Sequence, residues 1–482
     1  MLQQKTRMNN CIIKDRGEVT KLKPVIKPTT KDAYMLIHRG VLALARAERH
    51  GIRIDTEYCQ KQHQRLTRKI EYYEKKLQST KFYRRWEHIY GSKTNIYSNY
   101  QLSNILYNHM KIEPPKYTES GQGATDEDAL KRIDFPELKL ILEIRKWTKI
   151  RDTYLEQFIR ETNSDGYMRP SFELHTVRTY RSSSSNPNFQ NIPKRDKEAM
   201  QICRRAILPR PGHTLVEADF SALEVNIAAC YHHDPNMLSY LHDKNSDMHG
   251  DMAKQIFFLD KLDKSIPEHK LLRQSAKNSF VFPQFYGDYY KNNAIGICDW
   301  VQLPVNKKWK KTDGITLPEG ITIAEHFQQN GIKSFEDFVE HMREVENHFW
   351  NVRFKVYQQW KERWIQKYHK KGYLQMYTGF ICSGIMRKNE IVNYPIQGSA
   401  FHCLLKTFIK IDERMRKEKW NSRLIGQIHD SLVMDVDPNE LDYIEGVLKQ
   451  IVSEELPKEW PWIIVPLEIE VEVYGVDQPW VK

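Results

Sequence analysis

The sequence predicts a mixed fold of helices and short strands, α+β or α/β, divided into two or three subdomains. Three observations predict it. Apolar residues recur at the three-to-four spacing of an amphipathic helix over residues 32–51. From about residue 195 onward, helical stretches alternate with short apolar runs to the end of the chain. The 482 residues are also too many for one compact core.

The composition narrows the class of protein. No apolar run approaches the ~18 residues of a membrane span, and the N-terminus lacks a hydrophobic signal segment, so we expect a soluble, unexported protein. The seven cysteines are scattered without a CxxC pair, which argues against a disulfide framework or a structural zinc site. Lysine and arginine number 74 against 62 acidic residues, a net charge of +12 that fits a polyanionic partner, because neutralised phosphates release counterions.

Three segments carry separate expectations. Residues 1–40 are predicted to form a basic N-terminal arm. A second predicted helix, at about 56–80, runs into basic and aromatic residues over 81–86. That cluster indicates either a solvated helix face with its aromatic rings turned inward or a nucleic-acid contact, and both stay open. The segment 288–320 is loop-like and holds four lysines over 307–311.

Two distant acids are the first candidates for chemistry. An apolar strand that starts near Thr214 ends at Asp219, and a helix begins near Ser221. Short apolar runs on both sides of 427–431 predict a β-hairpin with His429 and Asp430 at its tip. Carboxylates on two strand ends can share a metal pair ~3.5–4 Å apart, which stabilises the attacking and leaving oxygens of an in-line displacement.

Each of these features also has an ordinary structural interpretation. The segment 221–224 fits a capping box, in which Glu224 only satisfies backbone donors, and Asp430 fits a plain turn residue. Arg273 and Lys277 are four residues apart and form one cationic stripe on a helix beside aromatic residues. Such a stripe suits a nucleoside triphosphate, but it also suits a solvated helix face.

Taken in order, these segments resemble the polymerase module of the DNA polymerase I family (family A) from about Leu42 to the C-terminus. The Asp219 stretch resembles motif A of that family, the Arg273 stretch resembles motif B, and 427–430 resembles motif C. The other segments that carry the resemblance are the entry into the thumb (42–55), the thumb signature (98–106 and 123–126), the palm segment at the primer–template minor groove (179–183 and 186–193), the start of the template-contacting helix (393–398), and the last strand (465–467 with Gly475).

The resemblance implies an α+β right-hand polymerase fold with palm, fingers and thumb, in which helices flank an antiparallel palm sheet. The implied division is a basic arm (1–40), a thumb (41–160), a first part of the palm with motif A (161–240), fingers with motif B and an insertion at about 288–335 (241–387), and a second part of the palm with motif C (388–482).

The resemblance also implies roles for single residues. Asp219 and Asp430 would be catalytic and would hold two Mg²⁺ ions, or Mn²⁺ as a substitute, with the Phe220 carbonyl. Lys277 would bind the triphosphate and protonate the leaving pyrophosphate. The other implied nucleotide-binding residues are Arg273, His249, Tyr286, Glu224 as the steric gate against a ribose 2′-hydroxyl, and Phe282, with Phe280 and Val281 as alternatives beside the sugar. The implied DNA contacts are Arg181, Asn186, Gln190, Asn393, Gln397, Gln427 and His429.

The sequence departs from the family pattern at several points. Lys277 and Tyr286 are nine positions apart, one more than usual, with Pro283 between them. We therefore expect a kink or π-bulge near 279–283 that absorbs the extra residue. Ser431 stands where bacterial members carry a second acid. The remaining departures are Asn226 for a common arginine, Phe380 in a usually basic patch, and Tyr180 for a glycine.

The function that the resemblance implies is a template-directed DNA polymerase, a nucleotidyltransferase of DNA replication or repair that adds deoxynucleotides to a primer 3′-hydroxyl. Only ~40 residues precede the thumb, so we expect neither an exonuclease domain nor intrinsic proofreading. The expected partners are primer–template DNA, dNTPs and a separate exonuclease or processivity subunit. We further expect a monomeric catalytic unit, a bacteriophage-type origin and a cytoplasmic location, in the host if the source is viral.

Two alternatives from other classes stay open. A single-subunit RNA polymerase shares the right-hand architecture and often has the His-Asp-Ser sequence found at His429, Asp430 and Ser431. A non-catalytic nucleic-acid-binding protein could keep the same fold. Presence of both acids and both triphosphate cations argues against the second alternative.

Overall fold

The structure, a computed structural model, describes residues 28–193, 196–243, 245–305 and 307–481. Most of the predicted basic arm, residues 1–27, lies outside the described residues. Helix α1 (Thr30–His50) confirms the first predicted helix and crosses the expected boundary at residue 40. It starts at a capping box, in which Thr29 Oγ1 accepts from the backbone N–H of Asp32 and the Asp32 carboxylate accepts from that of Thr29.

The next part of the chain is mainly helical. Its elements up to residue 161 are β1 (Ile52–Ile54), α2 (Thr56–Gln78), α3 (Lys81–Tyr90), α4 (Asn99–Ser103), α5 (Glu127–Lys131), α6 (Glu137–Thr148) and α7 (Glu156–Glu161). Helix α2 confirms the second predicted helix and packs against α6. In α3 the rings of Phe82 and Trp86 are buried while Arg84 and Arg85 are exposed, so the aromatic residues of the 81–86 cluster face the core.

Short strands and helices lead into motif A. They are β2 (Tyr167–Met168), β3 (Ser171–Glu173), β4 (Ser183–Ser185), α8 (Lys197–Arg204), β5 (Ile207–Leu208), β6 (Thr214–Phe220), α9 (Leu223–His232) and α10 (Pro235–His242). Strands β2, β1 and β5 form a small antiparallel sheet, and β3 pairs with β4.

The predicted fingers are helical. Their helices are α11 (Met248–Phe257), α12 (Pro267–Ala276), α13 (Phe282–Phe285), α14 (Tyr290–Trp300), α15 (Ile323–Gln329), α16 (Phe335–His348) and α17 (Lys355–Lys371). The expectation of a loop over 288–320 is wrong for its first part, because α14 occupies residues 290–300. Asn293, Ala294 and Ile297 give that helix a buried face, which the polar residues of the segment concealed in the sequence.

The last part of the chain holds two short strands before residue 388, which fall in the predicted fingers, and then the second part of the predicted palm. Its elements are β7 (Tyr373–Gln375), β8 (Ile381–Ser383), α18 (Lys388–Glu418), β9 (Arg423–Ile428), β10 (Ser431–Val436), α19 (Leu441–Gln450), α20 (Leu456–Glu459) and β11 (Ile469–Val473). Strands β7 and β8 form a separate pair, and four strands form one antiparallel sheet in the order β11-β6-β10-β9.

Helices pack around this four-stranded sheet. Helix α18 packs on α9 and β10, and α1 packs on α18 and β9. This arrangement confirms the predicted antiparallel palm sheet flanked by helices. The six described cysteines are buried and unpaired. Within the described ranges, no helix combines the length and the apolar character that a membrane crossing requires.

Helix α18 approaches the segment before Arg181 closely, and a glycine makes this approach possible. A Cβ added at Gly398 would lie 2.4 Å from the carbonyl oxygen of Thr179, so we expect Gly398→Ala to destabilise the protein by about 1–3 kcal/mol. Gly446 in α19 has no atom within 4 Å of an added Cβ. The control Gly446→Ala should therefore raise stability by about 0.5–1 kcal/mol. Urea unfolding measures both changes, and a Gly398→Ala protein as stable as the wild type would contradict the close approach.

Candidate functional site

The two candidate acids lie on hydrogen-bonded neighbouring strands. In the β6–β10 ladder Asp219 is opposite Ser431, and the backbone N–H of Phe220 donates to the carbonyl of Asp430 at 3.2 Å. Strands β9 and β10 form a hairpin with His429 and Asp430 in its turn, which confirms the predicted hairpin. Because paired strands lie about 4.7–4.9 Å apart, the ladder brings the end of β6 that carries Asp219 next to the hairpin turn that carries Asp430.

The side chain of Arg181 faces two acids of the site. Its Nη2 lies 3.1 Å from Glu224 Oε1 and 3.4 Å from Asp430 Oδ1. Burial raises the pKa of Asp430, the charge of Arg181 opposes this rise, and the charge of Glu224 adds to it. Arg181 is thus the cation that keeps Asp430 from a still higher pKa, a role that the sequence did not suggest.

Glu224 does not cap α9, so the capping-box interpretation is wrong. The residue at the N-cap is Ala222, in the left-handed region with φ 50°, and no side chain bonds to the helix start there. Ser221 instead donates through Oγ to Glu470 at 2.9 Å. Glu224 accepts from Arg181 and from the hydroxyl of Tyr286. Its carboxylate is therefore fixed from both sides above the palm sheet.

Glu470 is a site residue that the sequence analysis missed. It lies on β11 directly opposite Asp219, so Asp219 has Ser431 on one side and Glu470 on the other. Its signal in the sequence was the alternation of acidic and apolar residues over 468–473, which is typical of a strand with one polar face.

The helix that resembles motif B is interrupted where the sequence predicted it. A π-helical turn (Lys277–Val281) joins α12 to α13 and confirms the expected bulge. The turn accommodates the extra residue, and the hydroxyl of Tyr286 donates to Glu224 on α9. Burial, with the charge of Glu224, raises the pKa of Tyr286, so the hydroxyl stays protonated as a donor.

The π-helical turn also sorts the aromatic candidates. Phe280 and Val281 are fully buried, and Phe280 packs edge-to-face on Phe349. Phe282 is half-buried, with its ring centroid 5.2 Å from Lys277 Nζ and 5.6 Å from the ring of His249. Of the three candidates, Phe282 is the one that shares a surface with the predicted triphosphate residues.

His249 is an uncharged member of this cluster. Burial, assisted by the charges of Lys277 and Arg273, lowers its pKa to about 4. The imidazole is therefore neutral near pH 7 and can donate one hydrogen bond without adding charge.

Arg273 is clamped by an acid that the sequence analysis did not single out. Its Nε lies 2.8 Å from Asp247 Oδ2 and its Nη2 lies 2.8 Å from Oδ1, while Lys264 Nζ lies 3.0 Å from Oδ2. Burial opposes ionisation of Asp247, but the hydrogen bonds from Arg273 and Lys264 hold its pKa well below the ordinary value. Asp247 also accepts from the N–H of Gly250 as the N-cap of α11, which was its signal in the sequence.

The residues predicted to contact DNA fall into two groups. Around the hairpin tip, Gln190 Nε2 donates to Gln427 Oε1 at 2.6 Å, and His429 is exposed beside Arg181 and Asp430. On α18, Asn393 Nδ2 donates to the Tyr286 carbonyl at 3.4 Å, and Gln397 follows one helical turn later. Asn186 lies just beyond β4, with φ 52°. Contact with DNA by either group stays a prediction.

The donor atoms at the two acids suit a hard divalent cation. The carboxylates of Asp219 and Asp430 and the carbonyl of Phe220 offer oxygen only, which is the ligand type that Mg²⁺ and Mn²⁺ prefer. The residues at this edge of the sheet therefore fit the metal ions that the resemblance implies.

Comparison with known proteins agrees with this geometry. The family model described as DNA polymerase family A matches residues 56–297 and 316–478. DNA polymerase I of Aquifex aeolicus is 27% identical over 450 residues, which cover 92% of this chain and 66% of that protein. DNA polymerase I of Caldicellulosiruptor bescii is 28% identical over 390 residues, which cover 80% of this chain and 41% of that protein. The chain thus spans less than two thirds of the length of these relatives.

A solved structure shares the fold. It is the POL domain of Pol1 from M. smegmatis in complex with DNA primer-template and dNTP, with a TM-score of 0.69, 23% identity, and coverage of 93% of this chain and 70% of that one. These relatives are bacterial and do not support the expected bacteriophage-type origin. The family match omits residues 298–315, which include the lysines of 307–311.

The π-helical turn generates a prediction about the register of Tyr286. Deletion of Asn278, an exposed residue of the turn, should restore a regular α-helix and preserve the contact between Tyr286 and Glu224. Insertion of an alanine after Asn278 should rotate Tyr286 by about 100° and break the contact. Double-mutant cycles with Tyr286→Phe and Glu224→Gln, followed by unfolding, measure the coupling free energy between the two side chains. We expect a coupling of about 1 kcal/mol in the deletion protein and none in the insertion protein. The reverse order would contradict the assignment of the bulge.

The position of Arg181 generates a prediction about pH. Without its charge the pKa of Asp430 rises further, so the carboxylate becomes protonated at a higher pH. We expect Arg181→Met to shift the pH midpoint of Mn²⁺ binding upward, because the cation binds the deprotonated carboxylate. Arg181→Lys keeps the charge and should shift the midpoint less. Mn²⁺ titrations followed by electron paramagnetic resonance measure both, and a midpoint unchanged in Arg181→Met would refute the role of the arginine.

Proposed function

This chain belongs to DNA polymerase family A, and we propose that it is a template-directed DNA polymerase that adds deoxynucleotides to a primer 3′-hydroxyl by two-metal-ion nucleotidyl transfer. The observation that carries the proposal is the pairing of β6 and β10. It brings Asp219 and the hairpin turn with Asp430 to one end of the palm sheet, in a chain whose helix α12 carries Arg273. A mere nucleic-acid-binding surface does not require two acids at that place, since carboxylates repel phosphate.

The acids of the palm sheet would hold the cations of the reaction. Two divalent ions, Mg²⁺ with Mn²⁺ as a substitute, supply charge neutralisation at the attacking and leaving oxygens when bound. Asp219, Asp430 and the carbonyl of Phe220 would orient them. Arg181 lies against Asp430 and Glu224, and we infer that it moves onto the primer–template when DNA binds, which leaves the oxygens of Asp430 to the cation.

The helical side of the site would bind the triphosphate. Arg273 and Lys277 supply positive charge for the phosphates, and neutral His249 donates a hydrogen bond. The half-buried ring of Phe282 lies between Lys277 and His249, where a sugar can pack on it. Lys277 would also protonate the leaving pyrophosphate.

Glu224 would select the sugar. The hydroxyl of Tyr286 donates to its carboxylate, and this contact would remain after Arg181 has moved onto the DNA, so the group cannot easily turn away from an added 2′-hydroxyl. A rigid acid at that place rejects a ribonucleotide both by volume and by unfavourable contact. This supports deoxynucleotides as substrates, in preference to the RNA polymerase alternative that His429, Asp430 and Ser431 suggested.

Several finer parts of the hypothesis stay predictions from the sequence. They are DNA contacts by Arg181, Asn186, Gln190, Asn393, Gln397, Gln427 and His429, contact of 307–311 with DNA or a protein partner, the absence of proofreading, a separate exonuclease or processivity subunit, and a monomeric catalytic unit.

Primer extension tests the function. With Mg²⁺ and a primer–template, we expect efficient incorporation of deoxynucleotides and poor incorporation of ribonucleotides. Asp219→Ala and Asp430→Ala should each lower the single-turnover rate by at least about 10²–10³-fold, because each removes charge stabilisation at the reacting phosphate. The affinity for primer–template should change little. The control Asp442→Asn alters an exposed acid of α19 and should leave the rate unchanged.

The alternatives give different results in the same assay. Efficient use of ribonucleotides would favour the RNA polymerase. Incorporation of neither substrate by a protein that binds DNA would favour the non-catalytic binding protein, and a full rate in Asp219→Ala would contradict the proposed metal site.

A further inference from the structure

A third carboxylate lies beneath the candidate metal site. Glu217 precedes Asp219 by two residues on β6, so both side chains leave the same face of the sheet. Glu217 is only 4% exposed, and the chain places it opposite Val433 on β10. An acid that deep in a sheet requires partners, because a lone buried charge is strongly unfavourable.

The partners of Glu217 are equally buried. Arg204 Nη1 lies 2.8 Å from Glu217 Oε2, and Ser431 Oγ lies 3.0 Å from Glu217 Oε1. The guanidinium of Arg204 also stacks on Trp480, 4.0 Å from the ring centroid. A buried ion pair of this kind is often no more stabilising than apolar residues of the same volume. A contribution to the stability of the fold therefore does not by itself explain why Glu217 and Arg204 form a buried ion pair.

Ser431 connects this pair to the acid that matters for chemistry. It follows Asp430 directly, and its Oγ lies 2.9 Å from the carbonyl of Ile428 as well as 3.0 Å from Glu217 Oε1. The one hydroxyl proton is shared between these two acceptors across the hairpin turn. The turn that holds Asp430 is thus attached to β6 through the carboxylate of Glu217.

We propose that Glu217 is a positioning residue for the candidate metal site, because its carboxylate holds, through the Ser431 hydroxyl, the hairpin turn that carries Asp430. Glu217 and Arg204 together carry no net charge. The pair acts by orienting the Ser431 hydroxyl, and through this hydroxyl it orients the turn with Asp430. The inference rests on the proposed function.

The exchange of the two residues tests this inference. We expect Ser431→Ala and Ser431→Glu each to weaken Mn²⁺ binding by about tenfold or more, as outer-shell changes at metal sites do. Ser431→Glu places two carboxylates beside one Arg204. The double variant Glu217→Ser/Ser431→Glu restores one acid and one hydroxyl and should recover most of the lost affinity. Electron paramagnetic resonance titrations without DNA or nucleotide measure binding, with Asp219→Ala as the baseline.

A matched control separates positioning from stability. Thr214, at the far end of β6, is equally buried, and its hydroxyl donates to the carbonyl of Tyr474. Thr214→Val should lower the melting temperature and leave the Mn²⁺ affinity unchanged. The inference is overturned if the Ser431 variants behave like Thr214→Val, or if the exchange binds Mn²⁺ no better than Ser431→Glu alone.

A second variant covers the case in which the single changes do not fold. Arg204→Met/Glu217→Met replaces the ion pair by apolar side chains and should fold. It should bind Mn²⁺ about tenfold more weakly, and wild-type affinity would overturn the inference. Mn²⁺ binding does not require catalysis. A wild-type protein that incorporates no nucleotide, while its variants still differ in Mn²⁺ affinity as expected, would contradict the proposed function and leave the role of Glu217 standing.

Discussion

The hydrogen-bond ladder between β6 and β10 fixes the site. It places Asp219 opposite Ser431 and joins Phe220 to the carbonyl of Asp430, although more than two hundred residues of chain separate the two strands. A shift of this register by one residue would turn Asp219 to the opposite face of the sheet. Glu217 takes its position from the same ladder, and Glu470 takes its position from the pairing of β11 with the other side of β6.

A continuous chain of contacts joins the helical subdomain to this ladder. Tyr286 donates to Glu224, Glu224 pairs with Arg181, and Arg181 reaches Asp430. This series of contacts begins at the π-helical turn, because the turn determines on which face of the helix Tyr286 lies. A change in the angle of α12 would therefore displace side chains that are in direct contact with the palm. Motions of two subdomains can be coupled through contacts of this kind.

Two arginines of the site are already paired with acids. Arg273 is held by Asp247, and Arg181 lies between Glu224 and Asp430. These pairs keep the guanidinium groups oriented before any ligand arrives, and they also hold down the pKa values of Asp247 and Asp430. A triphosphate that bound Arg273 as proposed would have to share its guanidinium group with Asp247.

The sequence by itself determined several local elements and supplied the candidate residues of the site. Apolar spacing predicted α1, α2 and the β9–β10 hairpin, and one extra residue before Pro283 predicted the interruption of the helix. These features depend on neighbours along the chain, and so they can be read from it. The loop expected over 290–300 failed, because the packing of Asn293 and Ile297 against other helices decides that helix.

Only the tertiary structure decided which charged groups meet. Glu224 fits a cap in the sequence, yet in the fold it pairs with Arg181 and Tyr286. Glu470 and Glu217 become neighbours of Asp219 and Ser431 through strand register, a long-range property that no local pattern reveals. The sequence shows which acidic and basic residues are present, and the pairing of distant strands decides which of them interact. Electrostatic interactions depend on distance in space rather than along the chain.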